Sequence, residues 1–265
     1  MDISAIDRSA TQGRSWLHVV APSSKLVGLV LLLASVIVSW NALVLAALAA
    51  GLLAVGMSAK VPMRLLLALS LYPALFAAIF AFASAPSWLQ ATVIVLKAVT
   101  AALASVLIVL TTPYPQVFAP VQRVVPGVVG DALLMTYRAF FLLAERFTDV
   151  VRSIRLRAPV TGSPMRSMRS TGAALGNVLL YSADLAQREY DIMRVRGYEG
   201  RLRIERTRAT RPQLDAALIA LAALGFATAL LWRIRWESLN PYSWFPLGIA
   251  MLMLGAAGLY RWRQA

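Results

Sequence analysis

Long apolar blocks alternate with short polar breaks over the first part of the chain. Residues 26–38 and 42–57 form two apolar blocks, and residues 65–83 and 88–110 form two more. The first two blocks together exceed the ~20 residues that one membrane helix needs, so we predict two short helices joined by a tight turn. The pattern therefore predicts four membrane spans before Pro113.

The pattern changes after Pro113. The next hundred residues hold most of the 26 Lys and Arg residues and most of the 12 Asp and Glu residues. Apolar blocks return at residues 214–232 and 244–260. We therefore expect an all-α, polytopic integral membrane protein with about six transmembrane helices and a pair of long helices in the polar region. The predicted regions are 1–113 with the first spans, 114–213 with the long helices, and 214–265 with the last spans.

Composition supports this interpretation. The chain is 59% hydrophobic and 14% charged, with a mean hydropathy of +0.68, whereas a soluble domain has about 25% charged residues. A net charge of +14 would indicate nucleic-acid binding in a soluble protein. In a membrane protein, basic cytoplasmic loops explain it, so no nucleic-acid partner is expected. The absence of cysteine excludes disulfides and thiolate metal sites, and the single histidine, His18, cannot form a histidine cluster.

The basic residues also predict the orientation. Lys and Arg precede the first block and recur in the loop with Lys60, but the turns near Trp40 and Pro86 carry none. The positive-inside rule then places the N-terminus and the polar region in the cytoplasm of a multi-pass protein of the cytoplasmic (inner) membrane. The first block is interpreted as a retained helix because the N-terminus lacks a signal-peptide layout. This topology places Arg233 and Arg235 on the non-cytoplasmic side of the membrane, against the positive-inside rule. The last two blocks could therefore form a shallower hairpin instead.

Two isolated residues have a structural and a functional interpretation. Lys97 lies inside the fourth block, where a charge indicates function by default, although a pair within the bundle or an interfacial position explains it better. His18 lies just before the first span, and we interpret it as interfacial rather than as a metal ligand.

The polar region predicts two amphipathic helices, at residues 130–157 and 165–196. Each would be roughly 40–48 Å long, more than a membrane span needs. Pro159 ends the first helix, and Gly197 is placed to act as the left-handed C-cap of the second. Gly172 and Gly176 have a small-xxx-small spacing, which predicts close packing against another helix.

Both helices end in arginine followed by a small residue. Arg157 precedes Ala158, and Arg196 precedes Gly197. A cation on the last turn is stabilised by the helix dipole by ~0.3–1 kcal/mol. The recurrence is also compatible with docking, because an arginine beside a small residue can reach acidic or carbonyl groups on a partner. The pattern alone leaves these two explanations nearly even.

Several catalytic motifs are absent. The sequence has no Walker A loop, no HExxH, no GxSxG and no zinc-ligand spacing. Asp184, Glu189 and Asp191 are better explained as a solvated face balancing nearby arginines than as a catalytic acid pair. We therefore expect a non-enzymatic chain with no cofactor and no metal site of its own.

Three stretches resemble a known family. They are Trp16-Leu17-His18 with Pro22 and Lys25, residues 136–145, and residues 190–200. On these stretches the chain resembles the transmembrane coupling (T) subunit of energy-coupling factor (ECF) transporters, most of all the cobalt-type CbiQ family, over about residues 7–232.

The resemblance implies a docking triplet, X-Arg-X, at the end of each coupling helix. The second triplet, Val195-Arg196-Gly197, matches well, and the first, Leu156-Arg157-Ala158, matches more loosely. Arg155 therefore competes with Arg157 in the first triplet, and Arg194 is a secondary candidate in the second.

The resemblance also implies partners and a mechanism. Two ABC-type ATPase subunits would each hold one helix end, and their ATP-driven motion would tilt a separate substrate-binding membrane (S) subunit. The chain would sit in the lipid bilayer and serve cobalt import, a step linked to cobalamin biosynthesis. Nickel or vitamin import is the alternative, and a self-contained transporter or a membrane-embedded enzyme is a further one.

Overall fold

The computed structural model describes residues 9–11, 13, 15–121, 125, 127–157, 164–198, 211–235 and 239–262. The chain divides into two compact units. The membrane unit contains residues 1–117 and 206–265, and the hairpin unit contains residues 118–205. The described residues contain helices and no β-strand.

Ten α-helices and one short 3-10 helix are described. In chain order they are α1 (Trp16–Val19), α2 (Pro22–Val38), α3 (Ala42–Ser58), α4 (Met63–Ser84), α5 (Trp88–Thr111), α6 (Tyr114–Val121), α7 (Gly127–Arg157), α8 (Pro164–Val195), α9 (Pro212–Ile234), the 3-10 helix Asn240–Tyr242, and α10 (Trp244–Trp262).

Four of the described helical segments are long and apolar enough to cross a membrane: α4, α5, α9 and residues Asn240–Trp262. Helices α2 and α3 are apolar but have only 17 residues each. At 1.5 Å per residue each measures about 26 Å, slightly less than a hydrocarbon core of about 30 Å. The prediction of an all-α, polytopic membrane protein is confirmed, and so is the prediction of two short helices in the first region.

The break between α2 and α3 has a local cause. The Asn41 side chain accepts hydrogen bonds from the backbone N–H groups of Leu43 at 2.9 Å and Val44 at 3.4 Å. These donors would otherwise be unsatisfied at the start of α3, so Asn41 acts as its N-cap. The apolar sequence of α2 and α3 is almost continuous, and the Asn41 cap explains why a new helix begins at Ala42.

Small residues bring the membrane helices together. Helix α2 packs on α9, α3 packs on α10, and α5 contacts α2, α3 and α4. Ala47, Ala50 and Ala250 form a buried cluster between α3 and α10. A Cβ at Gly225 on α9 would lie only 3.2 Å from Leu48 on α3, so glycine permits the close approach of these two helices. Such packing is how helices associate where lipid removes the hydrophobic driving force.

The hairpin unit is an antiparallel pair of long helices. Arg138 on α7 forms an ion pair with Glu189 on α8 at 3.3 Å. The Arg146 guanidinium, further along α7, lies 5.2 Å from the ring of Tyr181, which is earlier on α8. The contact with the higher residue number on α7 has the lower residue number on α8. The two helices therefore run in opposite directions. Both helices match the predicted ranges to within a few residues.

Candidate docking site

Helix α8 ends in a Schellman motif built on Gly197. This glycine has φ of +70°, a conformation that glycine adopts readily and other residues rarely do. The Gly197 N–H donates to the Arg194 carbonyl at 3.2 Å, and the Tyr198 N–H donates to the Met193 carbonyl at 3.1 Å. These two bonds satisfy the last carbonyls of the helix. The predicted C-cap role of Gly197 is therefore confirmed.

The second triplet lies exposed on this cap. Val195 is 88% exposed, and Arg196 and Gly197 are also exposed. Arg196 forms no ion pair with another described residue. Arg194, by contrast, lies with its guanidinium 5.8 Å from the ring of Tyr190 on its own helix. Of the two arginines, Arg196 is thus better placed to contact a partner.

A hydrogen bond fixes the position of the C-terminal end of α8, which we call the α8 tip; the corresponding end of α7 is the α7 tip. The Tyr198 hydroxyl donates to Asp131 Oδ2 at 2.6 Å, and Asp131 is buried near the start of α7. This bond to the carboxylate, together with desolvation and the negative charge of Asp131, raises the pKa of Tyr198. The tyrosine therefore stays a donor at neutral pH and ties the end of α8 to the start of α7. Sequence reasoning did not single out this pair, because its members are far apart in the chain.

The first triplet lies at the end of α7. That helix runs to Arg157, and Leu156 is 79% exposed. Ala158, Pro159 and the side chains of Arg155 and Arg157 lie outside the described residues. The choice between Arg155 and Arg157 therefore stays a prediction.

The two triplets lie at opposite ends of the helix pair. The end of α8 is held beside Asp131, and Arg157 follows 26 positions later on α7. At 1.5 Å per residue the two tips are on the order of 40 Å apart. The arrangement therefore suits two separate contacts, each with an exposed apolar residue before its arginine.

Comparison with protein families decides the assignment. A family model described as CbiQ, cobalt transport protein, matches residues 13–207. The chain belongs to the CbiQ cobalt transport protein family. The match covers most of the chain and includes both triplets. A comparison with curated proteins found no match.

Family membership confirms the resemblance and part of the predicted function. This CbiQ-family protein is a multi-pass membrane protein and a component of cobalt transport. Family members are membrane components of transport complexes, and the family is not known to be catalytic. Helices α9 and α10 lie beyond the matched segment.

The face of α8 opposite α7 carries no partner among the described residues. Successive residues are about 100° apart round a helix, so Gly172, Gly176 and Leu179 point away from the α7-facing Tyr181, and Leu180 points to the side. A Cβ built on either glycine meets no described atom within 4 Å outside its own helix backbone. Leu179 and Leu180 are 68% and 75% exposed. The close packing predicted for Gly172 and Gly176 is thus not made within the described part of this chain.

Lys97 has structural contacts. Its Nζ donates to the Ile37 carbonyl at 3.1 Å and lies 4.3 Å from the centroid of the Trp40 ring. The Arg233 guanidinium lies 5.9 Å from the same ring. A carbonyl at the end of α2 and an aromatic face are both favourable for a cation. The structural interpretation of Lys97 is confirmed.

His18 is held by two neighbours before the first membrane helix. Its Nδ1 lies 2.7 Å from Ser15 Oγ, and its Nε2 lies 3.2 Å from the Ser9 carbonyl. The carbonyl fixes Nε2 as a donor, so neither nitrogen is left open to a metal. No group of three or more metal-binding side chains occurs among the described residues. Burial is the main factor that lowers the pKa of His18, and the charge of Lys25 lowers it further.

The lowered pKa predicts a loss of stability in acid. Neutral His18 is favoured in the folded state, so the unfolded chain binds more protons below the ordinary histidine pKa of about 6.5. We expect the melting temperature of the purified protein to fall between about pH 7.5 and about pH 5.5, a range that brackets this pKa. The fall should be smaller in His18→Gln. An equal fall in both proteins would contradict this role for His18.

Proposed function

We propose that the chain is the transmembrane coupling subunit of an ATP-driven, ECF-type cobalt importer. It would join two ABC-type ATPase subunits to a separate membrane subunit that binds the cobalt ion. The observation that carries this proposal is the pair of matched triplets at opposite ends of an antiparallel helix pair, in a chain of a cobalt transport family. Cobalt is the cargo of the complex, and the chain itself neither binds nucleotide nor catalyses a reaction.

The chemistry of the tips supports docking in two grooves. Each arginine is preceded by an exposed apolar residue, Leu156 at 79% and Val195 at 88%. A partner can bury that apolar group while its acidic or carbonyl groups accept hydrogen bonds from the arginine. Helix-dipole capping alone gives no reason for the apolar residue to be exposed. Arg157 and Arg196 are therefore the proposed docking residues, with Arg155 and Arg194 as the alternatives.

The hairpin unit has the contacts needed to transmit motion. The Arg138–Glu189 ion pair and the Tyr198–Asp131 hydrogen bond link the two helices at separate points along their length. When ATP closes the two ATPases, the tips held in them would move relative to one another. The helices between the tips would then reorient, and the outward face of α8 would carry that movement to the substrate-binding subunit.

The proposed contact with the ATPases also gives the orientation of the chain in the membrane. The ATPases are cytoplasmic, so α7 and α8 and the N-terminus would lie on the cytoplasmic side of the inner membrane, as the positive-inside rule predicts. Cobalt is favoured over nickel or a vitamin because of the family match. The contacts of Lys97 with Ile37 and Trp40 also weaken the case for a self-contained transporter.

Reconstitution tests this proposal. The tagged chain would be expressed with the ATPase and small membrane-protein genes of the same organism, purified, and placed in liposomes. We expect co-purification of both kinds of partner and uptake of radioactive cobalt only with ATP and all subunits present. Transport by the chain alone, or co-purification of neither partner, would refute the proposal. Uptake of nickel or a vitamin in place of cobalt would show that the assigned substrate is wrong.

A further inference from the structure

An apolar cavity of about 410 Å³ lies within the membrane unit. Its walls come from α1, α2, α3, α5, α9 and α10. Helix α2 packs on α9 and α3 packs on α10, and the cavity is the space between these two pairs. Its volume is in the range of small-molecule binding pockets, about 300–1,000 Å³.

The cavity opens toward the surface between α9 and α10. Among the wall residues on α3, Val44 and Leu52 are buried, at 1% and 7% exposed, and Leu48, Gly51 and Val55 are half-buried. By contrast, Leu224 on α9 and Phe245 on α10 are 65% and 59% exposed. Both helices belong to candidate membrane spans, so the medium at this opening is lipid hydrocarbon rather than water.

The cavity is long enough for a hydrocarbon chain. Its lining on α9 extends from Leu218 to Trp232, which at 1.5 Å per residue is about 21 Å. One leaflet contributes about half of a 30 Å hydrocarbon core, or roughly 15 Å. Water is an unsuitable occupant, because an ordered water needs two to four polar partners.

The polar groups at the two ends differ. Lys25 Nζ, at one end, already donates to the Thr111 carbonyl at 2.9 Å and to Thr112 Oγ1 at 3.0 Å. Trp232, near the end of α9, has a buried Nε1 that makes no hydrogen bond with the described residues. A buried donor of this kind needs an acceptor. The cavity therefore combines a long apolar interior with one open donor near its Trp232 end.

We propose that this cavity holds one acyl chain of a membrane glycerophospholipid, inserted between α9 and α10. The ester carbonyl accepts a hydrogen bond from Trp232 Nε1, and the chain end lies near Lys25 and Leu218. The lipid completes the packing between the α2–α9 pair and the α3–α10 pair. This site is independent of the proposed coupling function, because it uses residues of the membrane unit only.

Photo-crosslinking tests the site and the direction of the chain. The full-length protein would be placed in nanodiscs of phosphatidylethanolamine carrying a diazirine either beside the ester or at the acyl end, and crosslinked peptides would be identified by mass spectrometry. We expect the label beside the ester to mark the Trp232 region and the acyl-end label to mark the region of Lys25 and Leu218. Labelling confined to the outward surfaces of α9 and α10 would overturn the proposal.

Two matched glycine substitutions sharpen the test. Gly51 lines the cavity, and a Cβ there meets no described atom within 4 Å, so Gly51→Leu fills the space without a clash at Cβ. Gly255 has equal room but is not among the lining residues, so Gly255→Leu is the control. Interior crosslinks should fall at least about tenfold in the first variant and stay unchanged in the second. Equal interior labelling in both variants would overturn the site.

Trp232→Phe tests the hydrogen bond without filling the cavity. It keeps an aromatic ring but removes the donor, so crosslinking to the label beside the ester should fall about threefold to tenfold. If Gly51→Leu fails to fold, this variant and the wild-type labelling pattern still decide the question. Unchanged labelling in Trp232→Phe would overturn the position assigned to the ester carbonyl.

Discussion

Replacing both Arg157 and Arg196 with glutamate abolishes co-purification of the ATPases and reduces cobalt uptake to background. Each arginine would lie in a partner groove, where its guanidinium donates to acidic or carbonyl groups. A glutamate at that position would place a carboxylate against the same acceptors. Loss of a hydrogen-bonded charge at an interface costs about 2–5 kcal/mol, so each contact should weaken at least about 30-fold. Pull-down of the ATPases and radioactive cobalt uptake in liposomes measure the effect.

The single variants separate the two ends of the hairpin unit. Arg196→Glu should remove the contact at the α8 tip and leave the α7 tip intact, since the tips are on the order of 40 Å apart. Arg196→Lys should recover only part of the affinity, because lysine keeps the charge but loses the planar fork of donors. If Arg155→Glu disrupts assembly and Arg157→Glu does not, Arg155 is the docking residue of the first triplet.

Arg188→Glu is the matched control for charge reversal. Arg188 lies exposed on α8 and pairs with Asp184 at 2.7 Å, one turn earlier on the same helix. Its reversal changes the net charge as much as Arg196→Glu does but leaves the tip untouched. We expect normal assembly and uptake in this variant. Wild-type uptake in the Arg157→Glu, Arg196→Glu double variant, or loss of assembly in Arg188→Glu, would contradict docking through the tips.

Local patterns in the sequence were sufficient to predict the long helices to within a few residues, but not the short helices α1 and α6. Gly197 follows a helical apolar stripe, and its φ of +70° is the conformation that such a C-cap requires. The polar break at Trp40 and Asn41 likewise predicted two short helices, and the Asn41 cap accounts for it. Both features depend on neighbouring residues, so they can be recognised without knowing the tertiary structure.

Features that join distant segments were not predicted. Tyr198 and Asp131 are 67 positions apart, and no local pattern indicates that their side chains meet at 2.6 Å. Arg233 conflicted with the positive-inside rule, and only the folded structure places its guanidinium 5.9 Å from the Trp40 ring. The cavity near Trp232 depends on which helices pack together, and hydropathy gives the length of a helix but not its neighbours.

The outward face of α8 gives the second large prediction. Gly176→Leu should abolish co-purification of the substrate-binding subunit and reduce cobalt uptake at least about tenfold, because a leucine there prevents the close approach that glycine permits. The structure offers no internal reason for a defect, since a Cβ at Gly176 meets no described atom within 4 Å outside its own helix backbone. Leucine also has a higher helix propensity than glycine by up to about 1 kcal/mol, so α8 itself should be stabilised.

Asn177→Leu is the control for this face. It adds the same side chain at the next exposed position, about 100° further round the helix. This variant should assemble and transport normally, and Gly176→Leu should still retain the ATPases through Arg157 and Arg196. Separate loss of one partner would assign the tips and the face of α8 to different subunits. If Gly176→Leu transports cobalt at the wild-type rate, that face does not bind the substrate-binding subunit. Another surface of the hairpin unit must then transmit the movement to that subunit.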